Sequence, residues 1–319
     1  MRRFTAAVLG LGQVGQGYDY AQTDPSVVKT HAAAFAHHPG YDLIGGVDPD
    51  PVQRERFEHK FGRPSFASYA GLLSRARPDV VAIAVPTALH CQALSEVLEG
   101  QPRAVVCEKP IAPSVAEGEA MVAAAKRHEC ALLVNYIRRF EPGLLCLRQE
   151  LQQGDLGTVY KGVVWYTKGL LHNGSHFVDL LRFLMGEAEE SHIIDPGRKL
   201  DTGDAEPDVM IRFGAADIAF IAAREERFSL AEMTLVATGG KVAYANGGHQ
   251  IQIEKVGDTG SLGNPRSLPT EMSRYQWHVV DHLHRHLTTG SPLNSTGATA
   301  LESLRVVERI LSSSNGRGA

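Results

Sequence analysis

Cysteine is sparse in this chain of 319 residues, and the four present, Cys91, Cys107, Cys130 and Cys146, are widely spaced with no CxxC pair. That argues against a structural zinc site and against a disulfide framework, and it fits reduced thiols in a cytoplasmic protein. Long apolar runs are also missing. The longest uncharged run, Val80 to Leu89, is about half the roughly 20 residues that a membrane span requires, so no membrane partner is expected. There is no excess of positive charge: Lys+Arg is 32 against Asp+Glu 36, a formal net charge of -4. A nucleic-acid partner is therefore not expected. The chain carries no internal repeat and no low-complexity tract. What is there, 43% hydrophobic and 21% charged residues, is an ordinary globular composition. The length predicts about two domains at roughly 150 residues each.

The first 130 residues or so alternate between two periodicities. Short β-branched or apolar runs (Phe4–Gly10, Leu43–Val47, Val80–Val85, Ala104–Cys107, Ala131–Asn135) read as buried strands. Between them lie helical stretches at Thr30–His38, with Thr30 as N-cap, Val52–Phe61, stopped by Gly62, Tyr69–Arg75, Ala88–Leu98 and Val115–His128. Strands alternating with helices predict a doubly wound parallel sheet. After about residue 150 the pattern changes. A helix at Ser175–Leu184 stands among short alternating runs at 160–166, 209–213, 218–222, 232–237, 241–244 and 250–254. These predict an α+β domain with an open-faced, mainly antiparallel sheet. Residues 258–269 read as a loop, and helices at 275–287 and 298–311 close the chain.

Gly10-Leu11-Gly12-Gln13-Val14-Gly15 is a GxGxxG directly after a predicted strand. Its first glycine permits a tight turn, its second lets backbone approach a pyrophosphate, and its third allows close helix–strand packing. Asp48 ends the second strand, where a carboxylate accepts from the adenosine ribose and repels a 2′-phosphate. The conjunction points to a Rossmann domain that binds NAD. The acid follows the glycines at more than the usual ~20 residues, because Tyr18–Lys29 reads as an insertion before the first helix.

These residues, with Pro86 to His90, Glu108-Lys109-Pro110 and Gly174-Ser175-His176-Phe177-Val178-Asp179, resemble the Gfo/Idh/MocA oxidoreductases, the glucose-fructose oxidoreductase and inositol dehydrogenase family. The resemblance runs over nearly the whole chain. It implies a Rossmann domain over residues 1–135, a substrate and oligomerisation domain over 136–297, and a final helix, about 298–312, that packs back on the first domain. It also implies hydride transfer between nicotinamide and a sugar or polyol carbon, and a homodimer or homotetramer joined through the C-terminal sheet.

Oxidising a carbinol requires a base within hydrogen-bond reach of the hydroxyl. By resemblance Lys109 contacts that hydroxyl and the cofactor ribose, Glu108 orients or packs, and His176 is a proton-transfer partner. Where the family's sugar dehydrogenases often carry an aspartate, four residues before this histidine, the chain has His172, followed by Asn173. His172 is then a second candidate base, and more weight falls on Lys109. Pro86, Thr87 and His90 are candidate cofactor contacts, with a helix-start structural role for His90 as the alternative. Asp179 shares a helix face with His176 and reads either as a substrate or imidazole contact or as a structural residue. Asn135, Arg138, Arg139 and Lys168 would suit an anionic substrate such as a nucleotide sugar. The two arginines serve equally well as internal ion-pair partners. His278 and His282 have ligand-like spacing but no convincing third ligand, so no metal is expected.

The reading that follows is an NAD-dependent dehydrogenase, or the reverse reductase, acting on a secondary hydroxyl of a sugar, with a nucleotide sugar preferred. The alternatives are an inositol or aldose dehydrogenase, a redox-neutral glycoside-processing enzyme that holds NAD, and a non-catalytic NAD-binding sensor.

Overall fold

The structure, a computed structural model, describes residues 3–315. Residue 1, the expected start of the first domain, lies outside them. In chain order the elements are β1 (Phe4–Leu9), α1 (His31–His37), β2 (Tyr41–Val47), α2 (Pro51–Phe61), β3 (Ser65–Phe66), α3 (Tyr69–Leu73), β4 (Val80–Ile83), α4 (His90–Glu99), β5 (Ala104–Cys107), α5 (Val115–Arg127) and β6 (Ala131–Val134). There follow α6 (Pro142–Gln153), β7 (Val159–Tyr166), α7 (Ser175–Met185), β8 (Ala188–Asp195), β9 (Asp208–Phe213), β10 (Ala216–Ala222), β11 (Ala231–Ala237), β12 (Gly240–Ala245), β13 (Gln250–Lys255), β14 (Arg266–Ser267), α8 (Tyr275–Thr289) and α9 (Gly297–Asn315). They form two compact units. Among the described residues the first holds 3–140 and 273–301, the second 141–272 and 302–315.

In the first unit six parallel strands run in the order β3-β2-β1-β4-β5-β6. This is the doubly wound Rossmann order. β4 and β5 are buried along their whole length, which is why they are unbroken apolar runs rather than alternating ones. Thr30 caps α1, its hydroxyl accepting from the Ala33 amide at 3.3 Å. Gly62 ends α2 in the left-handed region at φ 60°. Val279, Val280 and Leu283 of α8 join the core of this unit.

The second unit is an eight-stranded sheet in the order β14-β13-β12-β11-β7-β10-β9-β8. All its pairs are antiparallel except β10 with β7. Alternate residues of β9 to β13 are buried, and the same core holds Phe177, Leu180, Leu181 and Leu184 of α7. Each such side chain contributes roughly 1.5–3 kcal/mol on burial.

The last helix belongs to the first unit only as far as residue 301. Val306, Val307 and Ile310 of α9 lie in the core of the second unit, and the chain from residue 302 belongs to that unit. α8 lies wholly in the first unit. A polar contact accompanies the apolar packing of α9: Ser303 donates to Asp179 of α7 at 2.9 Å and accepts from Arg182 at 2.6 Å. The first unit also extends to Phe140, through Tyr136 and the 3-10 turn Ile137–Phe140, rather than ending at 135.

Candidate active site

The first unit places the glycine motif at the carboxyl edge of its sheet. Gly10 has φ 95°, and a Cβ there would stand 2.6 Å from the Ala84 backbone at the end of β4. A Cβ on Gly15 would stand 2.0 Å from the Gly10 carbonyl oxygen. Both positions therefore require glycine for close backbone approach. At Gly12 a Cβ would meet nothing within 4 Å. No contact within the fold excludes a side chain there, so the open space is free for a ligand to approach the backbone. Gln13, Val14 and Gly15 enter a single wide turn, Gln13–Gly17, rather than a long helix. Asp48 stands beside the motif: its Oδ2 accepts from the Leu11 amide at 2.8 Å and its Oδ1 from Asp50 at 2.9 Å. Its half-buried carboxylate closes the glycine loop as a ribose-binding acid would. The glycines and Asp48 thus fit a dinucleotide.

Asp19 and Lys60 hold down the Tyr18–Lys29 insertion. The buried Asp19 carboxylate accepts from the Lys29 and Thr30 amides and from the Thr30 hydroxyl. Lys60 donates to the Asp19 and Tyr20 carbonyls. The insertion loops out and returns the chain at His31.

Glu108 and Lys109 follow β5, with the Glu108 amide bonded to the Ile83 carbonyl at 3.0 Å. The Lys109–Pro110 peptide is cis. Burial alone would raise the Glu108 carboxyl. Hydrogen bonds from His31 and Asn135, with the Lys109 charge, outweigh it and hold the group below its usual value. His31 Nε2 lies 2.8 Å from Glu108 Oε1, and Asn135 Nδ2 donates to that same oxygen at 2.6 Å.

Other expected contacts are placed differently. His90 is fully buried. Its Nε2 faces the Val85 carbonyl at 3.0 Å, and its Nδ1 faces those of Pro110 and Ile111 at 3.1 and 3.2 Å. It ties two strand-end loops together, which is the structural role. Pro86 is exposed and Thr87 opens the 3-10 turn Thr87–Leu89. Arg138 and Arg139 are 8% and 5% exposed. Arg139 Nη1 donates to the Asn294 carbonyl, and Asn294 Nδ2 donates back to the Arg139 carbonyl, both at 3.0 Å. Arg139 therefore clamps backbone instead of offering an open fork to an anion.

The second unit builds the His172 loop on two acids that the sequence reading missed. Asp204 accepts from the Leu171 and His172 amides at 3.1 and 2.9 Å. Glu206, buried and paired with Arg198 at 2.6 Å, accepts from the Lys168 and Gly169 amides. Gly169 has φ 93°, and a Cβ there would stand 1.9 Å from Asp204 Oδ2. The turn Leu170–Gly174 runs straight into α7, so exposed His172, half-buried Asn173 and half-buried His176 follow one another along a helical path. Asp179 is buried and accepts from the Ser303 hydroxyl at 2.9 Å, so it holds α9. Lys168, at φ 62°, donates from Nζ to Ser229 at 2.9 Å. The only signal for Asp204 and Glu206 was an acid-rich turn, Asp201-Thr202-Gly203-Asp204-Ala205-Glu206.

Residues 4–136 match the Gfo/Idh/MocA oxidoreductase family with an NAD-binding Rossmann fold. The chain is 26% identical over 205 residues to a D-apiose dehydrogenase from Paraburkholderia graminis, covering 59% of this chain and 51% of that protein. It is 29% identical over 161 residues to a myo-inositol dehydrogenase from Streptomyces leeuwenhoekii, covering 49% and 43%. The matches thus span about half the length of these curated relatives. The fold is that of the WlbA dehydrogenase from Bordetella pertussis, solved with NADH and UDP-GlcNAcA, at TM-score 0.77 and 18% identity over 99% of this chain and 96% of that one. Among the described residues no helix is long and apolar enough to cross a membrane, and no cluster of metal-ligating side chains is found.

Proposed function

We propose that this chain is an NAD-dependent oxidoreductase that interconverts a secondary hydroxyl and a ketone on a sugar, with a nucleotide sugar as the preferred substrate class. The observation that carries this reading is the carboxyl edge of the parallel sheet. There Gly12 stands open beside the Asp48 carboxylate, and Glu108 holds its charge next to Lys109. Gly10, Gly12, Gln13, Val14, Gly15 and Asp48 would hold the dinucleotide, with Pro86 and Thr87 lining its approach. NAD, when bound, supplies the hydride acceptor. Lys109 hydrogen-bonds the substrate hydroxyl and, as the free amine, takes its proton. In the second unit His176 and His172 are the candidates for proton transfer, and Asn173 and Lys168 for hydroxyl and anion contacts.

The assay is NADH formation with a panel of UDP-sugars, inositols and aldoses. Lys109→Ala is expected to lower turnover by ~10²–10⁴-fold, the range for a general base, with NADH binding retained. Turnover equal to wild type refutes the role of Lys109. NAD binding without net NADH from any substrate favours the redox-neutral or sensor alternatives. The sheet of the second unit presents exposed Trp165, Tyr160 and Ile194, and we assign it to a homodimer or homotetramer contact, checked by mass photometry of Trp165→Glu. The four free cysteines fit a cytoplasmic setting.

A further inference from the structure

Four side chains from separate parts of the first unit close a ring. Asn135 Nδ2 donates to Glu108 Oε1 at 2.6 Å and to Gln276 Oε1 at 2.9 Å. Gln276 Nε2 faces His31 Nδ1 at 3.0 Å, and His31 Nε2 faces Glu108 Oε1 at 2.8 Å. The ring has one consistent proton assignment. An ionised carboxylate only accepts, so Asn135 must present its amide nitrogen to it. That leaves Gln276 Oε1 to accept from Asn135 and Gln276 Nε2 to donate to His31. His31 Nδ1 then accepts, and its Nε2 proton points at Glu108. His31 and Gln276 are fully buried and Asn135 is 2% exposed.

The ring is not built for stability. Asn135 Oδ1 is buried with no donor, and a half-satisfied polar network is less stable than an apolar cluster of the same shape. Its product is a Glu108 carboxylate with two donors on Oε1, next to Lys109. The insertion serves it as well, since Asp19 clamps the Thr30 amide and hydroxyl immediately before His31.

We propose that His31 and Gln276 are positioning residues for Lys109: with Asn135 they pin the Glu108 carboxylate, and the pinned carboxylate sets the charge and geometry around the lysine amine. This deepens the Lys109 reading above and rests on it. The test uses neither cofactor nor substrate, so it reads separately from dehydrogenase activity. The purified protein is pulse-labelled with acetic anhydride at pH 8, and the acetylation rates of Lys109 and exposed Lys126 are compared by peptide mass spectrometry. With the His31 donor removed from Oε1, or with His31 and Asn135 no longer oriented by Gln276, the carboxylate turns to the neighbouring ammonium and keeps it protonated. His31→Leu and Gln276→Leu are each expected to slow Lys109 relative to Lys126 at least threefold. His31→Gln, whose amide can still donate to Glu108, restores the wild-type ratio. Tyr41→Phe, which removes the bond from Tyr41 to the Val280 carbonyl of α8 without touching the ring, leaves the ratio unchanged. Gln276→Leu carries the test alone if His31→Leu does not fold. An unchanged ratio in both leucine variants overturns the proposal, as does an equal change in Tyr41→Phe, which would show a general loosening of α8.

Discussion

Substituting Gly12 and Gly15 separates ligand binding from folding within one motif. Gly12 has φ −72° and open space where a Cβ would stand. Alanine adopts that backbone without strain and restricts the unfolded chain, so Gly12→Ala should leave stability unchanged or raise it by up to ~1 kcal/mol. A pyrophosphate, however, must approach this backbone closely. The methyl displaces it from about two charge-assisted N–H bonds at ~1.5 kcal/mol each, a loss of ~3 kcal/mol or ~10²-fold in affinity. Gly15→Ala is the opposite case. Its Cβ would stand 2.0 Å from the Gly10 carbonyl oxygen, so backbone must move, at several kcal/mol. Thermal melting and NADH fluorescence titration read the two effects. Gly12→Ala that keeps both its melting temperature and its NADH affinity refutes the assignment of this open space to a phosphate.

Three further outcomes follow from the geometry. Asp48→Ser removes the acceptor of the Leu11 amide and the charge facing a 2′-phosphate. NADH binding should weaken and the NADH-over-NADPH preference fall by ~10-fold, or ~1.4 kcal/mol, in side-by-side titrations; an unchanged preference would remove the basis for NAD selectivity. Burial, with Arg285, lowers the His282 imidazole to about 4, and its Nε2 accepts from the Asn294 amide. The unfolded chain binds that proton near pH 6.5. The contribution is thus fully present above pH 6.5 and is lost as pH falls towards 4, at up to ~1.4 kcal/mol per pH unit. Denaturant melts at stepped pH should show this slope, and it should flatten in His282→Leu. Gly169→Ala drives a Cβ into Asp204 and leaves the strained φ of 93° to alanine; amide exchange at Leu171 and His172 should rise at least tenfold, and wild-type protection there would refute the clamp.

The sequence showed the first unit well because its physics is local. Strands buried on both faces become unbroken runs such as Val80–Ile83, and a capped helix start such as Thr30 is a short-range signal. Strand β8 (Ala-Glu-Glu-Ser-His-Ile-Ile-Asp) was not read. It is an edge strand with a single buried residue, Ile193, so alternation is masked by charge. Helix α6 begins at Glu141-Pro142, a start signal that was overlooked. The site was legible only where its residues are sequence neighbours. Gly10 to Gly15 and Glu108-Lys109-Pro110 could be found, whereas His31 reaches Glu108 from 77 residues away and Gln276 reaches His31 from 245. For His90, Arg139 and Asp179 the sequence left a ligand contact and a structural role both open; within the fold they bond backbone carbonyls and Ser303 among their partners. Residue type alone does not distinguish a buried polar group satisfied by its own chain from one awaiting a ligand.

The central claim is tested most directly by titrating the cofactor-stripped protein with NADH and with NADPH and following nicotinamide fluorescence. Saturable NADH binding, with NADPH at least tenfold weaker, is the predicted result. Binding of neither nucleotide, or a preference for NADPH, would contradict the account built on Gly12 and Asp48.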